Sequence, residues 1–116
     1  MPTNEIDLLK ERFIEQLSPL RIYLFGSFAE GRNQPDSDFD FYIVVDDTQT
    51  DIPALTSKAY RSIRLVKQRP VDILVGTQSR FETRRQLPSV ENKVYQKGVL
   101  LYDTSLILDW AAQLLS

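Results

Sequence analysis

The run FYIVV at residues 41–45 constrains this chain more than any other feature. Five consecutive aromatic and aliphatic residues, most of them β-branched and bounded by acids at both ends, read as a strand buried deep in a sheet. Such a strand needs neighbours on either side and covering layers. The rest of the chain supplies candidates for both. RIYLFGS (21–27) is a second apolar run that stops at a glycine, VDILVG (71–76) a third, and VLLYD (99–103) a fourth. Between them lie helical patterns. Ile6, Leu9, Phe13 and Leu17 recur at helical spacing over 3–18, with Thr3 or Asn4 as cap and Pro19 as stop. Leu55, Ala59, Ile63 and Val66 fall within an arc of about 80° on a helix over 51–68 that Pro70 ends, with Lys58, Arg61, Arg64 and Lys67 opposite as a solvated face. A polar helical stretch over 79–97 is interrupted near Pro88, Gly98 fits its C-cap, and 105–115 closes the chain as a helix. The expected fold class is therefore α/β (α+β): one domain over 1–116, a mixed sheet of about four strands with flanking helices.

Composition narrows the chemistry. The 116 residues include no cysteine and no histidine, which excludes disulfides, thiolate nucleophiles, imidazole catalysis and His-ligated zinc. Carboxylates, hydroxyls, Arg and Lys remain. No apolar run is long enough to span a bilayer and the first residues lack a signal-peptide core, so no membrane association and a cytoplasmic location are expected. The net charge of −2 argues against direct nucleic-acid binding.

The acids that stand out are those at the edges of the apolar runs. Asp38 and Asp40 alternate at the entry to the second strand, so a strand starting at 38 projects both from one face. Like charges that close repel and raise one another's pKa unless a cation neutralises them, and an all-oxygen donor set suits Mg²⁺ or Mn²⁺. Taken alone, the pair reads first as a solvated loop leading into a strand, with Asp38 a turn residue. Asp72 changes that balance, because an acid inside VDILVG is costly without compensation. Two readings apply to it: a surface position paired with Arg69, or a third carboxylate brought beside the other two by pairing of adjacent strands. Three carboxylates on adjacent strands are what a two-metal phosphoryl-transfer site requires. Gly26 and Ser27, between a strand and a helical turn, expose backbone N–H groups and a hydroxyl suited to phosphate oxygens, with Gly31 able to end the turn in a left-handed conformation.

In this order LFGSFAEGRNQPDSDFDFYIVV, followed by VDILV, resembles the polymerase-β-like nucleotidyltransferase superfamily, and within it the minimal nucleotidyltransferases. Their pattern is an apolar strand, G-S-x-x-x-G, S-D-x-D and a later apolar-Asp-apolar strand. The resemblance covers most of the chain, from the N-terminal helix to VYQKGVLLYD. It implies that Asp38 and Asp40 ligate two Mg²⁺ ions (or Mn²⁺) that hold a nucleoside triphosphate. Asp72 would complete the cluster and orient or deprotonate the acceptor hydroxyl, Gly26 and Ser27 would hold the β- and γ-phosphates, and Ser37 would support the carboxylate loop. It also implies an enzyme: a protein adenylyltransferase moving AMP from ATP to a partner protein, acting as the antitoxin of a pair with an all-helical HEPN protein. One departure is that Glu30 and Arg32 stand with charges exchanged relative to many members. Either Arg32 reaches a phosphate or the two form a structural ion pair.

A binding module that neutralises its partner by occlusion is the alternative. Transfer to a small molecule is disfavoured because 116 residues leave little room for a second substrate-binding domain. The last helix places Leu106, Ile107, Trp110, Leu114 and Leu115 within thirteen residues, enough for core packing with a remainder for a partner or homo-oligomer contact.

Overall fold

The run at 41–45 lies in β2 (Phe39–Val45), and all five of its residues are buried. The structure, a computed structural model, describes residues 4–115, and of residues 107–111 and 115 the backbone alone. In chain order the elements are α1 (Glu5–Leu17), β1 (Arg21–Phe25), β2, α2 (Ile52–Ile63), β3 (Val71–Thr77), α3 (Gln78–Arg84), α4 (Val90–Lys97), β4 (Val99–Asp103) and α5 (Thr104–Leu115). The four strands form one mixed sheet in the order β3-β2-β1-β4. β2 runs parallel to β3 and antiparallel to β1, and β1 runs antiparallel to β4. The expected single mixed sheet of four strands with flanking helices is what forms.

The continuous apolar run follows from β2's interior position. Its odd-numbered side chains, Phe39, Phe41, Ile43 and Val45, join Leu9, Phe13 and Leu17 of α1 and Ala59 and Ile63 of α2 in the larger core. Tyr42 and Val44 point the other way, into a smaller core with Tyr23, Phe81 of α3 and Val94 of α4. A strand covered on both faces cannot alternate polar and apolar residues. β3, at the edge, does alternate: Val71 and Ile73 are buried, Asp72 and Leu74 exposed.

Local signals explain most of the element ends. Asn4 caps α1 by accepting from the Asp7 N–H at 2.8 Å, and Ser89, just beyond Pro88, caps α4. The second helix ends at Ile63 rather than reaching 68, and the chain turns there through hydrogen bonds from Val66 and Lys67 to the Ile63 carbonyl. Leu65 is 95% exposed, and Val66 packs against the larger core from this turn rather than from a continued helix. Gly98 does cap α4, but in an extended conformation. A Cβ there would strike the Val94 carbonyl, so close packing rather than a left-handed turn requires glycine. In α5, Leu106 and Leu114 are exposed, while the side chains of Ile107, Trp110 and Leu115 lie outside the described residues.

Candidate active site

The parallel pairing of β2 with β3 places Asp40 directly opposite Asp72, so their Cα atoms stand about 4.8 Å apart. By strand alternation both side chains leave the sheet on the face that carries Tyr42, beyond the part α3 and α4 cover. Asp40 is half-buried and Asp72 exposed. The antiparallel pairing with β1 sets Phe25 opposite Asp40 and leads the chain into Gly26 beside it. Gly26 has φ +77°, and a Cβ on it would collide with the Asp40 carboxylate. Both its conformation and its lack of a side chain are therefore needed.

Ser27 opens a single helical turn closed by hydrogen bonds from Glu30 N–H to the Gly26 carbonyl at 3.1 Å and from Arg32 N–H to the Ser27 carbonyl at 2.9 Å. Gly31, with φ +71°, ends it in the left-handed region. The exchanged charges in this turn face each other: Arg32 pairs with Glu30 at 3.4 Å. The loop then returns to β2. The Ser37 hydroxyl accepts from the Gln34 N–H at 2.8 Å, which folds the loop back on itself just before Asp38. β2 begins at Phe39, one residue later than the sequence suggests, so Asp38 sits just outside the strand ladder.

Electrostatics tie the three acids together. Burial, then the charges of Asp72 and Asp38, then a hydrogen bond with Asp72 raise the Asp40 carboxyl to about 6. Every one of these influences disfavours its charged form. Among the described residues no three acidic side chains stand together as a ready-made metal cage. The donor chemistry nevertheless fits a hard divalent cation: oxygen ligands only, mutually repelling, with Asp40 lodged where glycine has left room. Arg69 is not the partner of Asp72; it pairs with Glu5 at 3.3 Å and donates to the Ser37 carbonyl.

Farther in on the same face lies a cluster the sequence did not reveal. Glu91 of α4 is 2% exposed. It accepts from the Tyr42 hydroxyl at 2.7 Å and from Arg84 at 3.0 Å, with Arg80 at 3.7 Å. Burial pushes its carboxyl up, but the bonds from Tyr42 and Arg84 outweigh that and hold it below the usual range. Tyr42, buried and bonded to this carboxylate, is pushed up in turn. Gly76 makes room for its hydroxyl, since a Cβ there would overlap it. An acid at a helical position followed by polar residues gave no hint of this burial. A cleft of about 370 Å³ opens at the opposite end of the sheet, where Arg21, Asp46, Glu82 and Asp103 gather, and shares no residue with the Asp40–Asp72 end.

Comparison with known proteins follows this geometry. The model of the nucleotidyltransferase domain family matches residues 6–101. No curated protein matches the chain. Among solved structures, a toxin–antitoxin crystallised with AMP-PNP is similar at 22% identity and a TM-score of 0.54, over 87% of this chain and 74% of that one. A mutant of the toxin–antitoxin MntA-HpeT, with glutamate replacing aspartate at two positions one residue apart, is similar at 21% identity, with the same coverage and TM-score.

Proposed function

The chain belongs to the nucleotidyltransferase domain family, and from that premise we propose that it is a minimal nucleotidyltransferase of antitoxin type, moving AMP from ATP to a hydroxyl of a HEPN-type partner protein. The observation that carries this reading is the pairing of Asp40 with Asp72 across adjacent strands, beside the Gly26–Ser27 turn. Asp40 faces Asp72 across β2 and β3, Asp38 is close enough to raise it further, and Gly26 abuts the same carboxylate. The similarity in fold to a toxin–antitoxin holding AMP-PNP supports the choice of adenine nucleotide and of partner.

In this reading Asp38, Asp40 and Asp72 would hold two divalent cations, Mg²⁺ or Mn²⁺, which when bound would supply charge neutralisation for the triphosphate and the pyrophosphate that leaves. The backbone N–H groups and hydroxyl at Gly26–Ser27 orient the β- and γ-phosphates, and Ser37 keeps the loop of Asp38 folded. Asp72, exposed at the sheet edge, faces the side from which an acceptor arrives. It orients the acceptor hydroxyl and takes its proton as the oxygen attacks the α-phosphorus and the bond to pyrophosphate breaks. No covalent enzyme intermediate is needed; alignment and charge carry the rate. A shallow domain with its carboxylates at an open sheet edge leaves the acceptor to another chain. Among the described residues no helix is long and apolar enough to cross a membrane, and we assign the activity to the cytoplasm, where ATP and Mg²⁺ are abundant.

The test is incubation with Mg²⁺, labelled ATP, CTP, GTP or UTP, and the co-purified partner. Label passes from ATP to the partner with the wild type and not with Asp38→Asn. Full neutralisation of the partner by an Asp38→Asn/Asp40→Asn/Asp72→Asn variant would replace this reading with occlusion.

A further inference from the structure

Asp38 precedes the first paired residue of β2, so no strand ladder holds it. Its neighbours on both sides are nevertheless fixed, and by one short segment. The Phe39 N–H donates to the Pro70 carbonyl at 3.2 Å, and Arg69 Nη1 donates to the Ser37 carbonyl at 3.3 Å. The Arg69 guanidinium also lies over the rings of Phe39, 4.6 Å from the centroid, and Phe28, at 5.0 Å. Those two rings pack edge to face at 4.6 Å. One side chain thus touches the residue before Asp38, the residue after it, and the residue that follows Ser27.

We infer that Arg69 is a positioning residue, a clamp that holds the Asp38 carboxylate and the Gly26–Ser27 turn in register with β3; the inference rests on the transfer reading of this site. The clamp is itself anchored. Arg69 Nε donates to Glu5 Oε1 at 3.3 Å, and Glu5 Oε2 accepts from the Gln68 N–H at 2.6 Å, so the start of α1 orients the guanidinium. Arg69 lies three positions before Asp72, at the entry to β3. The same few residues therefore set the spacing between the loop of Asp38 and the strand of Asp72. Arginine suits this position for a physical reason. A planar guanidinium stacks on rings through its face while donating through its edge, whereas an ammonium cannot do both. Three functions in one group also explain why Arg69, in a run that otherwise ends a helix, is only 30% exposed while Lys67 nearby is solvated.

Arg69→Lys and Arg69→Leu, each in the full chain, separate a clamp from a merely stabilising contact. Two readouts are taken: hydrogen exchange of the Ser37 and Phe39 amides, and calorimetric affinity for Mn²⁺-ATP. Both variants are expected to speed that exchange about tenfold, with the amides of residues 43–45 unaffected, and to weaken Mn²⁺-ATP about tenfold, with lysine failing to rescue. Should the leucine variant not fold, the lysine variant carries the test. Exchange and affinity equal to the wild type in Arg69→Lys would overturn the clamp alone. Failure of the wild type to bind Mn²⁺-ATP would instead overturn the transfer reading on which the clamp rests.

Discussion

Asp40 and Glu91 reach the same face of the sheet, one from a strand and one from a helix, and the protein treats them in opposite ways. Glu91 is the more deeply buried, yet it is surrounded by donors: the Tyr42 hydroxyl, Arg84 and Arg80. Its carboxyl is held below the ordinary range. Asp40 is only half-buried, but burial, reinforced by the charges of Asp72 and Asp38 and opposed by no cation among the described residues, raises its carboxyl to about 6. Solvent exclusion alone does not decide a carboxylate's state; the charges and donors around it do. Where the chain needed a structural acid it provided cations and a hydroxyl. Beside Gly26 it gathered like charges, an arrangement that costs stability and that the proposed divalent cations would relieve.

The sharpest way to break this contrast is to neutralise each acid in turn. Asp40→Asn should lower transfer by on the order of 10³-fold while leaving the melting temperature unchanged or higher, because it removes a repelled charge. Kinetics and calorimetry on one preparation decide it, and a large loss of stability would put Asp40 in the same class as Glu91. Glu91→Ala should do the reverse. Leaving Tyr42 without its acceptor and Arg84 without its counter-charge costs about 2–3 kcal/mol in denaturant unfolding, with the transfer rate per folded molecule retained.

Two glycines sharpen the comparison at smaller scale. Gly26 and Gly31 both have positive φ, but a Cβ at 26 meets the Asp40 carboxylate while one at 31 meets open space. Gly31→Ala should therefore cost only the left-handed penalty, about 1 kcal/mol, and spare activity. Gly26→Ala should cost more than that and weaken nucleotide binding as Asp40 is displaced, measured by chemical unfolding and calorimetry with ATP. The contrast also has a pH dependence. Because the folded protein holds the Asp40 proton up to about 6, above its unfolded value of 3.8, folded molecules bind more protons between those limits. Stability from this group therefore falls as pH rises through that window. The unfolding free energy of wild type minus that of Asp40→Asn should decline from pH 4 to pH 7 in the absence of divalent cation. Glu91, depressed rather than raised, contributes the opposite slope: stability present at neutral pH and lost on acidification.

How much of this was legible beforehand depends on the range of the forces involved. The strands at 41–45, 71–76 and 99–103 announced themselves because burial writes an apolar run directly into the chain. The break at Pro88 and a cap at Thr3 or Asn4 were legible as well, being decisions of one or two residues, and Asn4 is the residue that caps. The second helix was overextended since Val66 continues the apolar stripe, whereas the chain leaves the helix at Ile63 and returns toward Pro70 and β3. One of the two readings of Asp72 paired it with Arg69, three residues away; Arg69 instead pairs with Glu5 at the far end of the chain. Glu91 looked like one more polar helix residue.

Residue types and their local order thus determined the strands, the turn at Gly26–Ser27, the all-oxygen donor set and the three acids of the proposed site. Only the tertiary structure decided that β2 and β3 run parallel with Asp40 opposite Asp72, that Arg69 grips the segment around Asp38, and that Glu91 lies buried under Tyr42. Hydropathy and turn preference act over a few residues and leave a periodic trace. Strand register and side-chain pairing between residues 32 to 64 positions apart arise from packing of surfaces that meet only once the sheet has closed.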